Sequence, residues 1–271
     1  MDVLMWVLFG VLPAVAAMLL GVGVGGPRWL APALAVAICV PFGMAAGWPD
    51  WPWLLDGRHG APRPWLWWLL ACCGVVGGLR DLNALPKQVA VPLEVLIAVF
   101  VPWLLSGELR RSWSFEWTVL FLTVGWLVTL ATWWLLRRAA KAQPGLGVPL
   151  AMTIVLCADA WLLRERTGGV EWQIAGVAAV ALGFAVAASL WRRPFLCGPG
   201  GALCCSIAHV GLLWCARGER ELVQAPFLLA LVAPLGMWFV GSRAFADAPK
   251  MGMVCGVAAT ALLAGIAVGT V

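Results

Sequence analysis

The chain has 271 residues, of which 63% are hydrophobic and only 11% charged, with a formal net charge of +5. A soluble globular domain gives about a quarter of its residues to charge, so this composition excludes one and leaves no room for a soluble catalytic domain. The 19 tryptophans stand against no tyrosine at all, which removes chemistry that needs a tyrosyl acid or radical.

A helix crosses the hydrocarbon core in about 20 apolar residues, and about ten such runs fit along this sequence. The alternating pattern of a barrel strand is absent, so the spans must be helices that satisfy their own backbone. The expected fold is therefore all-α: a polytopic transmembrane bundle of about ten spans, with residues 1–271 as one integral membrane domain.

Taken in order, the first span runs from Val3 to Val24 behind Met1-Asp2, and the missing basic n-region argues for a retained span over a signal peptide. The second covers Leu30 to Trp48 and is broken by Pro41. The longest loop, Pro49 to Pro64, carries Asp50, Asp56, Arg58, His59 and Arg63 and reads as a lid or, more simply, an aromatic-anchored connector. The third run, Trp65 to Leu79, looks short and holds Cys72-Cys73 and Gly74-x-x-x-Gly78; the fourth, Val89 to Leu105, carries Pro92, Glu94 and Pro102. The fifth spans Trp117 to Leu136, the sixth Val148 to Leu163 with Asp159, and the seventh Trp172 to Trp191. The stretch Cys197-Gly198-Pro199-Gly200-Gly201 reads as a helix breaker before a short eighth run, Ala202 to Cys215, with Cys204-Cys205 and His209. The ninth covers Ala225 to Ser242 and the tenth Met251 to Val271, where Gly252-x-x-x-Gly256 and Gly265-x-x-x-Gly269 suit close helix contact. Most tryptophans, among them Trp65, Trp103, Trp133 and Trp214, flank these spans as an interfacial belt.

The basic residues of alternate loops set orientation. All three lysines, and the dense cluster Arg137, Arg138 and Lys141, fall in one set of loops. That places both termini outside. Five spans on either side of the central cluster would give halves 1–136 and 137–271 of opposite orientation. The paired features are the Cys-Cys runs three and eight and the proline-marked runs four and nine (Pro92 and Pro102; Pro226 and Pro234). Matching broken spans of this kind point to a binding site in transporters built as inverted repeats; chance similarity between Ala/Leu/Val-rich helices is the rival account.

Ionisable groups inside spans are the functional candidates: Glu94, Asp159 and His209. Lys87 lies two turns before Glu94 and Arg166 two turns after Asp159, so each acid could snorkel toward a base. The sixth and eighth runs travel the same way, which puts Asp159 and His209 at similar depth, where an Asp–His pair could relay protons. Cys205 and His209 share a helix face and, with Cys72 or Cys73, are the weak candidates for a soft metal. The nine cysteines are odd in number and lack a Cys-x-x-Cys, so they read as buried thiols at helix contacts, and no cofactor is expected. No phosphate-cradling loop, nucleophile elbow or His-Glu-x-x-His occurs, and the dispersed basic residues give nucleic-acid binding no support.

At Gly47-Trp48-Pro49, Val148-Pro149-Leu150-Ala151 and Gln173-Ile174-Ala175-Gly176-Val177-Ala178 the chain resembles uncharacterised multi-pass membrane proteins of planctomycete-type bacteria. That resemblance implies no activity and places the chain in a bacterial cytoplasmic (inner) membrane. Ten spans in two five-helix halves also resemble the drug/metabolite transporter superfamily in architecture, although the outside N-terminus differs from it. The function expected is a small-solute permease with its site near the broken third, fourth and eighth runs. The alternative is a non-catalytic membrane subunit or scaffold; an enzyme is the third choice. The partners are the lipid bilayer and either a second copy or other membrane subunits.

Overall fold

The computed structural model describes residues 10–25, 27–46, 62–142, 146–166, 170–191, 197–218 and 224–270. Within them the chain is helical, with no strand among the described residues. The helices are α1 (Leu12–Gly25), α2 (Leu30–Ala46), α3 (Pro62–Asp81), α4 (Lys87–Leu105), the short α5 (Gly107–Ser112), α6 (Phe115–Ala142), α7 (Gly147–Arg166), α8 (Glu171–Trp191), α9 (Pro199–Gly218), α10 (Gln224–Val232) and α11 (Pro249–Gly269). Five of these, α4, α6, α7, α9 and α11, are long and apolar enough to cross a membrane, and four further apolar stretches are shorter in their described parts. The chain is thus an α-helical protein of membrane-integrating character. The loop 49–61, the first nine residues and Arg192-Arg193 lie outside the described residues.

The two runs expected to be short are not. α3 and α9 are each 20 residues long. α3 starts on Pro62, where a first-turn proline costs no hydrogen bond, and it continues through the charged Arg80-Asp81. α9 starts within the presumed breaker, on Pro199, and carries Gly200 and Gly201 as helical residues. The reason is a contact across the bundle. The orphan N–H groups of Gly200 and Gly201 donate to the two carboxylate oxygens of Asp81, at 3.0 and 3.2 Å, so the last residue of α3 caps the first turn of α9. At the same crossing the backbones touch: a Cβ on Gly200 would collide with the Gly77 carbonyl, and a Cβ on Gly77 would lie 2.9 Å from Gly200 Cα.

Around this antiparallel pair the other helices assemble. α9 is almost wholly enclosed, and it packs on α2, α3, α4, α5, α6, α7, α8 and α10. α3 instead sits at the edge, with Cys72 and Val75 exposed. The third and eighth runs therefore meet, but their surroundings are unequal. The break falls in the ninth run and not in the fourth: α4 continues unbroken through Pro92 and Pro102, whereas α10 gives way at Ala233 to a 3-10 helix, Ala233–Phe239, with Pro234 in its first turn. Gly236 lies there against the backbone of Thr260 on α11.

Two expectations about packing change. Gly252 and Gly256 do meet neighbours, but Gly265 and Gly269 face open space with nothing within 4 Å; small residues at helix spacing allow contact without causing it. Trp133 and Trp214, assigned above to the belt, are buried. Trp214 packs edge-on against Phe227, with centroids 5.2 Å apart, because α9 has no face left for an interface.

Contacts between chain-distant ends group consistently. Asp81 with Gly200 and Gly201, and Arg138 with the Gly241 carbonyl at 2.6 Å, lie at one end of the bundle. Arg63 with Glu171, and Arg166 with the Thr270 carbonyl at 2.8 Å, lie at the other.

Gly200→Val should destabilise the protein by about 1–3 kcal/mol through overpacking, and Asp81→Ala by about 0.5–2 kcal/mol through loss of the cap. Thermal unfolding of the purified protein in detergent reads both. An unchanged midpoint for Gly200→Val would show that the α3–α9 crossing is looser than described.

Candidate functional site

α7 and α9 run side by side, and each contributes one ionisable residue from its middle. Asp159 follows Val155 and Leu156 on the inward face of α7, and His209 sits halfway along the enclosed α9. His209 Nδ1 and Asp159 Oδ2 are 2.6 Å apart. Both residues are buried, His209 completely.

The pairing fixes the imidazole. A carboxylate at Nδ1 holds the proton there and leaves Nε2 as the other working nitrogen. Nε2 is buried and has no hydrogen-bond partner among the described residues. Whether it is a bare acceptor or a donor, it is a polar atom without the compensation that burial normally demands. One side of the pair is therefore saturated and the other is open to a proton or a polar ligand.

Asp159 also lines a narrow packing gap between α7, α10 with its 3-10 extension, and α11. Its wall is built largely of alanines, Ala158, Ala230, Ala233, Ala264 and Ala267, and it is too tight for a water-sized sphere. The 3-10 segment forms this wall because Pro234 removes a helical donor and shifts the backbone out of α geometry.

Glu94 belongs to a different cluster. It is fully buried on α4, and its partners are Arg137 on α6, 3.2 Å from Oε2, and Arg80 on α3, 3.7 Å from Oε1. The expected snorkelling toward Lys87 is thus replaced by pairing across helices. Glu94 faces inward, where two guanidiniums compensate a charge that a lipid-directed side chain would have to carry to the interface. Arg80 and Arg137 were visible only as loop charges; their role as counter-ions needs the packing of α3, α4 and α6, which no local pattern encodes. Asp159 likewise turns to His209 and away from Arg166, whose guanidinium reaches the end of α11. The three candidates do not share one cavity. Asp159 and His209 form one site, and Glu94, about 10 Å from the start of α4 by a rise of 1.5 Å per residue, forms another.

The soft-metal set is not assembled. Cys73 pairs with Cys204, one residue from the expected Cys205, and the Cys204 thiol lies 3.5 Å from the Ala31 carbonyl. Among the described residues no group of three or more His, Cys, Asp or Glu side chains is placed to hold a metal ion.

Comparison with protein-family models, curated proteins and solved structures finds no match to this chain. The reading of the site rests on its own geometry.

If the pair is as tightly coupled as its geometry implies, Asp159→Leu and His209→Leu should each cost about 3–5 kcal/mol by leaving the partner buried and unpaired. The double variant Asp159→Leu/His209→Leu should recover most of that loss. A double-mutant cycle on unfolding midpoints measures it; additive losses would mean that the two side chains do not interact.

Proposed function

We propose that the protein is a small-solute permease whose transport cycle is coupled to protonation of the Asp159–His209 pair. The observation that carries this reading is the buried imidazole of His209, oriented by Asp159 at 2.6 Å and left with an Nε2 that is unpartnered among the described residues. An ionisable pair is costly in a bundle interior, and replacing it by apolar residues of similar volume is often neutral or stabilising. A pair with one saturated and one open side suits proton exchange better than it suits stability.

Alternating access needs an element with two arrangements. The broken segment α10 plus Ala233–Phe239 supplies one next to Asp159, against an alanine-lined gap whose small side chains allow helices to slide. In this reading the described state is occluded, and tilting of the 3-10 segment opens the gap to the pair. Ten spans with both termini outside, in a bacterial inner membrane, form the frame; the consistent grouping of contacts at the two ends of the bundle supports the ten traverses. Antiparallel contact of α3 and α9 is what inverted halves would give, while the unequal burial of the two helices speaks for independent roles, and the permease reading does not depend on the symmetry.

A second reading is a non-catalytic membrane subunit or scaffold. What favours it is that Glu94 lies apart from the pair, paired with arginines as a structural group.

The two readings separate in liposomes loaded with a pH-sensitive dye and challenged with solutes pooled by chemical class. The permease reading predicts that at least one pool moves protons with the wild-type protein and that Asp159→Asn and His209→Gln abolish the flux while remaining folded. No solute-dependent flux above protein-free liposomes, joined to stoichiometric co-purification of other membrane subunits, would establish the scaffold.

A further inference from the structure

A second polar feature lies at the end of the bundle marked by Asp81 and Arg138, away from the Asp–His pair in the interior, and neither transport nor scaffolding uses it. The last two turns of α6 border a pocket of about 450 Å³ lined by Trp134, Arg137, Arg138, Lys141 and Ala142. Arg138 is anchored by donating to the Gly241 carbonyl at 2.6 Å, and its guanidinium lies 5.5 and 5.9 Å from the Trp134 and Trp238 rings. Arg137 is fixed from behind by Glu94 at 3.2 Å. Two guanidiniums are thus held in place at the pocket before any ligand arrives.

The charge around them does not balance. Lys141 interacts electrostatically with Arg137, Arg80 and Lys87 and with a single carboxylate, Glu94. The other nearby acid, Asp81, already accepts the N–H groups of Gly200 and Gly201. Four cations therefore face two carboxylates, Glu94 and Asp81, at the edge of a low-dielectric bundle, which leaves the cluster of described residues net positive. Like charges so placed repel, and an anion entering the pocket relieves the repulsion while its oxygens take the guanidinium and ammonium donors.

The surroundings indicate which anion. Trp134 and Trp238 are 47% and 56% exposed and lie 6.4 Å apart, so the pocket is flanked by the amphipathic aromatics that sit at headgroup level. A free inorganic anion would gain nothing from that apolar flank, whereas a phosphodiester carried on glycerol and acyl chains would use both parts. Basic pockets beside membrane helices take anionic headgroups on these grounds.

We propose that the pocket formed by Arg137, Arg138 and Lys141 at the end of α6 binds the phosphate headgroup of an anionic phospholipid. The shared chemistry is a phosphate anion on two arginines and a lysine; the lipid is its source. Glu94 acts as a positioning residue that holds Arg137 toward the pocket.

The test uses the full-length protein in a mild neutral detergent, with native mass spectrometry reading lipid adducts. Phosphatidylglycerol is titrated against phosphatidylcholine, and glycerol phosphate and inorganic phosphate serve as soluble competitors. Lys141 and Lys87 are both exposed, so Lys141→Gln, Lys141→Glu and Lys87→Gln are expected to fold, which unchanged gel-filtration and unfolding profiles verify. The expected result is preferential binding of phosphatidylglycerol, little competition from the soluble phosphates, and an affinity loss of about 5-fold for Lys141→Gln, larger for Lys141→Glu. Equal binding of the two lipids, or unchanged phosphatidylglycerol binding in Lys141→Glu, would overturn the site. Soluble phosphate that binds as well as the lipid, with the same Lys141 dependence, would overturn the lipid as the source while keeping the anion chemistry.

Discussion

The architecture depends on one crossing. α3 and α9 approach until Gly77 and Gly200 touch backbone to backbone, and the Asp81 carboxylate closes the contact by taking the first N–H groups of α9. In a bilayer there is little hydrophobic drive between helices, so association rests on close packing and on polar groups that have nowhere else to go. This crossing supplies both. It lets eight neighbouring helices pack on α9, and once α9 has no lipid-facing surface it can carry Ser206 and His209 at no exposure to hydrocarbon. The site is a consequence of that enclosure: His209 sits on the most buried helix and needs a partner there, and Asp159 on α7 provides it.

The same logic separates the polar groups of the interior into two kinds. Glu94 has a guanidinium from another helix near each oxygen, at 3.2 and 3.7 Å, and so ties α3, α4 and α6 together, although neither oxygen accepts a hydrogen bond among the described residues. His209 has a partner on one nitrogen only among the described residues, and no fixed counter-cation. A buried charge that faces two fixed counter-charges is explained by structure. A group partnered on a single side, beside an alanine-lined gap and a helix broken at Pro234, is where a cycle of binding and release has something to act on.

Much of this was legible in the sequence, and the limits have physical causes. Apolar runs of span length fix helix existence, and the shared depth of Asp159 and His209 followed from counting residues along two co-directional runs. What local pattern could not show is who caps whom. The Gly198-Pro199-Gly200-Gly201 stretch has the chemistry of a breaker, and only Asp81, more than a hundred residues earlier, makes it a helix start. Lys87 is the sequence-near base for Glu94, yet the packing presents Arg80 and Arg137. Gly265 and Gly269 have the spacing of a contact motif and meet nothing, while Trp214, an interface residue by position, is core because its helix is. In each case the deciding quantity is the identity of the neighbouring helix.

In the function proposed above, Asp159 and His209 form one proton-handling unit in the bundle interior. Infrared difference spectroscopy of the protein in lipid, recorded through a pH titration in light and heavy water, tests it most directly. The account predicts a carboxyl band that titrates and shifts on deuteration, disappears in Asp159→Asn, and moves in His209→Gln. A carboxyl signal that stays constant across the titration, or one that is the same in wild type and Asp159→Asn, would contradict it.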